Sequence, residues 1–356
     1  MAIRTGPACR SDGRDGTAAE ALAMMDNSLL WAVLACGAIV LAAEPLTIAL
    51  LRRLAVLDQP GHRSSHTVPT PRGGGAPIAA GLIVAVAIAP AGAGPARLAL
   101  VVAIGFFGLL GLIDDLRGLP ALSRLVLQVA GAVVIGALLV GPLSLPALAK
   151  PMAVAAVTVW LAGFVNAFNF MDGVNGIAGA HAVVGGVTYA CLAGWRHDGF
   201  GMAAGLALAA GAGAFLPFNA GRARVFLGDV GSYSIGAALA VLAARLVSLG
   251  LPMEAVAGPV ALYLADVAWT LQRRIRQGES WLQAHRTHVY QRWCDAGWTH
   301  QEVTVLTGAL TVLLCLLGVA GPLGGTLTRV AADGAGLGLL AVYLRSPRLF
   351  TRVREA

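Results

Sequence analysis

Residues 98–115 read LALVVAIGFFGLLGLIDD: sixteen residues without a charge, then two adjacent aspartates. With its flanks this run approaches the roughly 20 residues that carry a helix across a bilayer. It does not alternate apolar and polar positions, as a strand of a membrane barrel must. Runs of the same kind recur near 28–51, 75–94, 97–113, 124–141, 150–168, 177–194, 200–218, 232–250, 252–271 and 302–321. A weaker run covers about 325–344 and contains Arg329 and Asp333, an i,i+4 pair able to neutralise itself near an interface. The expectation is an all-α fold, a polytopic transmembrane helical bundle of ten or eleven spans.

Composition agrees. Of 356 residues, 57% are hydrophobic and 12% charged, where soluble proteins carry about 25% charged residues. The 46 glycines crowd the apolar runs, where small residues let membrane helices approach closely. The cysteines Cys9, Cys36, Cys191, Cys294 and Cys315 are scattered, so no disulfide framework or Cys-x-x-Cys site is expected. The net charge of +7 fits positive-inside loops and gives no reason to invoke nucleic acid.

The loops divide by charge. Segments 52–73, 114–124, 219–229 and 272–301 are rich in arginine, whereas the alternate loops hold little beyond Lys150 and Arg196. The rich side is expected to be cytoplasmic, with the N-terminus outside. Residues 1–26 form a polar extension, and Met24 is a candidate start. Residues 27–345 form one transmembrane domain, with 272–301 a cytoplasmic loop within it and 346–356 a basic tail. All acidic and amide-rich motifs fall on the cytoplasmic side, which is where an active site is expected.

Five motifs lie there. The first is Asp58-Gln-Pro-Gly-His-Arg63-Ser-Ser-His66, continuing through Pro71-Arg72-Gly73-Gly74-Gly75. Exposed amides and forked guanidinium donors suit phosphate, and the loop enters a helix N-terminus. The second is Asp114-Asp115. Neighbours on a helix point about 100° apart, so the two carboxylates can serve different partners. The third is Asn166-x-x-Asn169-x-x-Asp172-Gly173, whose spacing stacks amides and a carboxylate on one face. It suits ribose, an acetamido group or hydrated Mg²⁺, or else an interhelical hydrogen-bond network. The fourth is Gly228-Asp229-Val-Gly231-Ser232, a carboxylate on a turn opening a span, with Ser232 the expected N-cap. The fifth is His285-Arg286-Thr287-His288-Val289-Tyr290-Gln291, in which Arg286 and His288 are candidate diphosphate ligands. Asp266 is a further intramembrane carboxylate, either functional or a structural partner of Arg273 or Arg274.

In this order, the five motifs resemble the polyprenyl-phosphate N-acetylhexosamine-1-phosphate transferase family over about residues 58–293. The family includes enzymes that start O-antigen and teichoic-acid linkage units, and the phospho-MurNAc-pentapeptide transferase. The resemblance implies transfer of a HexNAc-1-phosphate from a UDP-sugar to undecaprenyl phosphate, with release of UMP. It implies Asp114, Asp115 and Asp229 as catalytic residues. Asp229 and Asp115 would be ligands of Mg²⁺, or of Mn²⁺ as the alternative. His66, Arg72, Asn166, Asn169, Asp172, Arg286 and His288 would bind substrates. A homodimer is expected on resemblance alone. The family's Asp-Arg-x-His-x-His-His loop is altered here: its paired histidines are missing and His288 is the best-matched one. That departure points to the branch starting O-antigen or capsule units. Two other classes compete. A membrane prenyltransferase would carry two Asp-rich helical copies, and a transporter would show midplane charges and repeated halves; neither pattern is visible.

Overall fold

The computed structural model describes residues 27–59, 68–279 and 286–348. They are helical almost throughout, with twelve α-helices and one two-residue hairpin. The helices are α1 (Asn27–Arg53), α2 (Ala76–Ile88), α3 (Gly94–Arg117), α4 (Ala121–Val140), α5 (Ala149–Phe170), α6 (Ile177–Trp195), α7 (Gly199–Asn219), α8 (Gly228–Ser248), α9 (Met253–Arg276), α10 (Val289–Asp295), α11 (His300–Leu323) and α12 (Thr326–Arg345). Leaving aside the short α10, the other eleven correspond one to one with the apolar runs. Among the described residues, nine are long and apolar enough to cross a membrane. Helix α2, apolar but only 13 residues long, rises about 20 Å. Helix α9 has 24 residues but carries Arg273, Arg274 and Arg276 in its last turn. The chain is a multi-pass helical membrane protein.

Helix α2 stops short of the expected 75–94 for a local reason. Pro90 follows, and Ala89 takes the extended ψ of 158°, the conformation that the residue before proline prefers. The exposed carbonyls at this end are then satisfied by Arg97. Its guanidinium donates to Val86 O at 2.8 Å, Ala87 O at 2.9 Å and Ala89 O at 2.8 Å, and to Pro90 O.

The centre of the bundle is α8, of which 83% of the apolar stretch is buried, while the last helix, α12, is only 11% buried and lies outermost. Helix α8 packs against α3 and α5, α7 packs against α6 and α1, and α9 against α11. Arg329 of α12 does not pair with Asp333 as its spacing suggested. It reaches Glu254 at the start of α9, an ion pair that ties the outer helix to its neighbour at the end away from the motifs.

One close approach decides where the carboxylates lie. A Cβ on Gly111 would stand 2.2 Å from Asp229 O, so only glycine lets α3 touch the backbone that opens α8. Gly111→Val is therefore expected to separate the two helices. Overpacking of this kind costs about 1–3 kcal/mol. The measurement is the melting temperature in detergent, and an unchanged value would reject this account of the contact.

Candidate active site

The site is assembled from loops at one end of the bundle. The first motif contributes a short hairpin, β1 (Leu57–Asp58) against β2 (Thr70–Pro71), pairing Leu57 with Pro71 and Asp58 with Thr70. Its far strand then runs beside the chain entering α8. Phe226 N donates to Pro71 O at 2.8 Å, Gly74 N to Phe226 O at 2.9 Å and Gly75 N to Leu227 O at 2.8 Å. This zipper sets Arg72 beside Asp229, across more than 150 residues of sequence.

Gly228 has φ +74°, a left-handed turn that favours glycine. Helix α8 starts there, one turn earlier than Ser232 would cap it. The early start is possible because Asp115 takes over the capping role from another helix. Asp115 Oδ1 accepts Asp229 N at 2.9 Å, and Oδ2 accepts Val230 N at 3.0 Å. A carboxylate at a helix N-terminus satisfies otherwise orphan amides and complements the helix dipole. Ser232, inside the helix, instead donates to Asn169 Oδ1 at 2.8 Å.

Arg72 links two motifs. Its Nε lies 2.7 Å from Asp115 Oδ1, and its Nη2 lies 2.8 Å from Asp229 Oδ1. Burial disfavours the guanidinium's charge, but Asp229 and Asp115 more than offset this and hold it protonated beyond the ordinary arginine range. Asp114 takes a different set of partners, as adjacent helical positions should, while its carboxyl stays within reach of that of Asp229. It accepts Leu119 N at 2.8 Å, Arg124 Nη1 at 2.9 Å and the Tyr233 hydroxyl at 3.1 Å. Asp172, in the turn after α5, is within electrostatic range of Asp229, Arg72 and Asp115. Burial first, then the Asp229 charge, push its carboxyl well above the usual range. A recess of about 290 Å³ opens beside this cluster, lined by Asp58, Arg72, Asp115, Leu116 and residues 54–57. That volume is near the lower end of small-ligand sites.

The third motif divides between two tasks. Asn166 donates to Gln128 Oε1 at 2.6 Å and to Ala162 O at 2.8 Å, a bond between α5 and α4. Asn169 and Asp172 sit at the carboxylate cluster. The fifth motif is docked on the same end of α5: Tyr290 donates to Phe170 O at 2.8 Å, and the His288 ring stacks on Phe170 with centroids 6.1 Å apart. His288 is almost wholly buried, and its Nδ1 is 3.0 Å from Asp266 Oδ1. Asp266 is thus the partner of His288, not of Arg273 or Arg274. Arg286 pairs with Asp295 at 3.1 Å. His66 lies outside the described residues.

Three further residues belong to this end of the molecule. Gln128, fully buried in α4, was legible as a lone amide within an apolar run. Tyr233 lies one turn beyond Asp229, and nothing in the sequence marks its bond to Asp114. Glu44 is fully buried in α1, and among the described residues its carboxylate has no hydrogen-bond partner. It approaches the glycine turn so closely that a Cβ on Gly74 would lie 2.8 Å from its Oε1.

Among the described residues, no three His, Cys, Asp or Glu side chains are grouped to hold a metal ion. The pair Asp115 and Asp229 nonetheless converges on one positive charge, that of Arg72. Two hard carboxylates with the remaining positions left to phosphate and water match the habits of Mg²⁺ rather than those of zinc. The donor set therefore fits Mg²⁺. Asp229 is the better placed of the two, because Asp115 already holds two backbone amides.

The chain matches the family described as Glycosyl transferase family 4 over residues 97–247, which includes Asp114, Asp115, Asn166, Asn169, Asp172 and Asp229. It is 30% identical over 307 residues to the phospho-N-acetylmuramoyl-pentapeptide-transferase of Symbiobacterium thermophilum, covering 78% of this chain and 91% of that one. It is 28% identical over 306 residues to the decaprenyl-phosphate N-acetylglucosaminephosphotransferase of Mycobacterium leprae, covering 74% and 76%. A relative in Bacillus subtilis, named "Probable undecaprenyl-phosphate N-acetylglucosaminyl 1-phosphate transferase", is 25% identical over 272 residues, covering 74% and 76%. With its motifs gathered at one end of a membrane bundle and its sequence aligned along nearly the whole of such a relative, the chain belongs to glycosyl transferase family 4, the polyprenyl-phosphate N-acetylhexosamine-1-phosphate transferases.

Proposed function

We propose that this chain transfers a HexNAc-1-phosphate from a UDP-N-acetylhexosamine to undecaprenyl phosphate, releases UMP and so begins a cell-envelope glycan of the O-antigen or capsule kind. We place it in the bacterial inner membrane, as one catalytic domain over residues 27–345 with the site on the cytosolic side. The arginine-rich loops favour that orientation. The observation that carries the reading is the bridging of Asp115 and Asp229, from separate motifs, by one guanidinium.

In this reaction an oxygen of the lipid phosphate attacks the β-phosphorus of the UDP-sugar. A new P–O bond forms, the bond to the α-phosphate oxygen breaks, and UMP leaves with the electron pair. Such transfer depends mainly on positioning and charge neutralisation. Mg²⁺ held by Asp229 and Asp115 would supply neutralisation of the diphosphate charge. Arg72 is already protonated and flanks the recess, so its donors suit the diphosphate oxygens. Asp114, whose Oδ1 also takes the Leu119 amide, would accept the proton of a monoprotonated acceptor phosphate and so align it. Asn169 and Asp172, at the carboxylate cluster, would recognise a ribose or acetamido group. Arg286 and His288 would hold phosphate oxygens.

The test is UMP release by the purified chain with undecaprenyl phosphate and a panel of UDP-N-acetylhexosamines. Release that stops when either the lipid or Mg²⁺ is withheld is the expected result. Release of inorganic diphosphate instead would identify a prenyltransferase. No product from folded protein across the panel would reject the reading.

A further inference from the structure

The last helix makes one penetrating contact. Along α12 only Ala332 and Tyr343 are buried, while Leu327, Val330, Leu337 and Val342 lie on its exposed side. Tyr343 is 2% exposed, and its hydroxyl donates to Asp266 Oδ2 at 2.6 Å. Asp266 is itself fully buried and is the hub of the fifth motif. Its Oδ1 faces His288 Nδ1 at 3.0 Å and accepts Thr270 Oγ1 at 3.1 Å. Both its oxygens accept Val289 N at 3.1 Å, and Oδ2 lies 3.4 Å from Tyr290 N. The contact is reinforced from the loop side. Trp293 packs edge-on against Tyr343 with centroids 5.2 Å apart, and its Nε1 donates to Ser346 Oγ at 2.9 Å.

A carboxylate that only accepts requires a proton on His288 Nδ1, and a phosphate oxygen, which also only accepts, would require the second ring nitrogen, Nε2, to donate as well. The orientation of that ring is then set by how firmly Asp266 is held. Of the groups holding it, the Tyr343 hydroxyl makes the shortest bond, and it comes from the outermost helix. We propose that Tyr343 is a positioning residue for the transfer reaction: through Asp266 it fixes the Nδ1–H bond and the orientation of His288, and so aims Nε2. The inference rests on the functional reading above, in which His288 binds a phosphate oxygen. Tyr343 lies outside all five motifs, and nothing in the spacing of the weak last span singles it out.

The test is a kinetic cycle on the full chain in detergent, with Tyr343→Phe, His288→Ala and the double variant. Phenylalanine keeps the ring against Trp293 and removes only the hydroxyl. An interaction realised in the transition state shows in kcat rather than in KM. Tyr343→Phe is therefore expected to lower kcat about tenfold and leave both KM values within about twofold. The double variant is expected to be no slower than His288→Ala, because residues acting as a unit are not additive. Wild-type kcat in Tyr343→Phe overturns the proposal. So do independent effects that multiply in the double variant, and so does a loss matched by a smaller fraction of monodisperse protein, which marks a purely structural role. If instead His288→Ala turns over at the wild-type rate, the phosphate-binding role of His288 is what fails, and the proposal fails with it. Absence of lipid-dependent UMP release by the unaltered chain would remove the functional reading itself.

Discussion

Asp115→Asn is expected to abolish turnover and destabilise the protein together. The carboxylate lies between α3 and α8 with its side chain 1% exposed. It accepts from Asp229 N, Val230 N and Arg72 Nε. An asparagine offers only one oxygen. Its NH₂ group would meet either a backbone N–H or the guanidinium, donor against donor. Whichever way the amide turns, at least one buried donor loses its acceptor, and Arg72 loses half of its compensating charge. Breaking a buried ion pair by removing one partner costs about 3–5 kcal/mol. Arg72 is 37% exposed on its side chain, so solvent recovers part of this and about 2–3 kcal/mol is the expected loss. Turnover should fall about a thousandfold or more, since the start of α8 carries Asp229. The measurements are the melting temperature in detergent and UMP release per folded molecule. A variant with the wild-type melting temperature would show that Asp115 does not cap α8.

The role of Asp115 shows where sequence reasoning reaches and where it stops. Each apolar run became a helix because composition and length decide that much, and the arginine census correctly grouped the loops that meet. The Asp-Asp pair was legible as two groups with different partners, since a 100° separation follows from the helix itself. Helix α8 still began earlier than Ser232 implied, because its cap comes from a residue 114 positions away. Capping rules consider only the local chain. Arg329 illustrates the same limit: its i,i+4 partner Asp333 was local, whereas the pair that formed reaches across to Glu254. In the third motif, equal spacing suggested one shared task for Asn166, Asn169 and Asp172. What divides them is depth. Asn166 lies one turn further into the bundle, opposite Gln128, whereas Asn169 and Asp172 reach the end where α8 begins. Spacing reports which face a side chain takes and is silent on which neighbour stands opposite.

Asp229→Asn is expected to match Asp115→Asn in lost activity and differ from it in stability. The two carboxylates share one arginine, yet their structural duties are unlike. What Asp229 gives to α8 is its backbone amide, which the substitution leaves in place under Asp115. An asparagine oxygen can still accept from Arg72 Nη2, where Asp229 Oδ1 does so at 2.8 Å. The change also removes one negative charge from a cluster that holds Asp114, Asp115 and Asp172 as well, and like charges crowded in one site repel. The melting temperature should therefore stay level or rise by a few degrees. Activity should fall about a thousandfold, because a neutral amide is a poor substitute for a carboxylate as a Mg²⁺ ligand. The contrast is read on both variants together, as UMP release per folded molecule against melting temperature, with titrated Mn²⁺ binding to each as an independent readout. Loss of Mn²⁺ binding in Asp229→Asn with the fold retained is the expected result. If Asp229→Asn unfolds as readily as Asp115→Asn while its folded fraction still turns over, then Asp229 is a structural residue and the cation is held elsewhere.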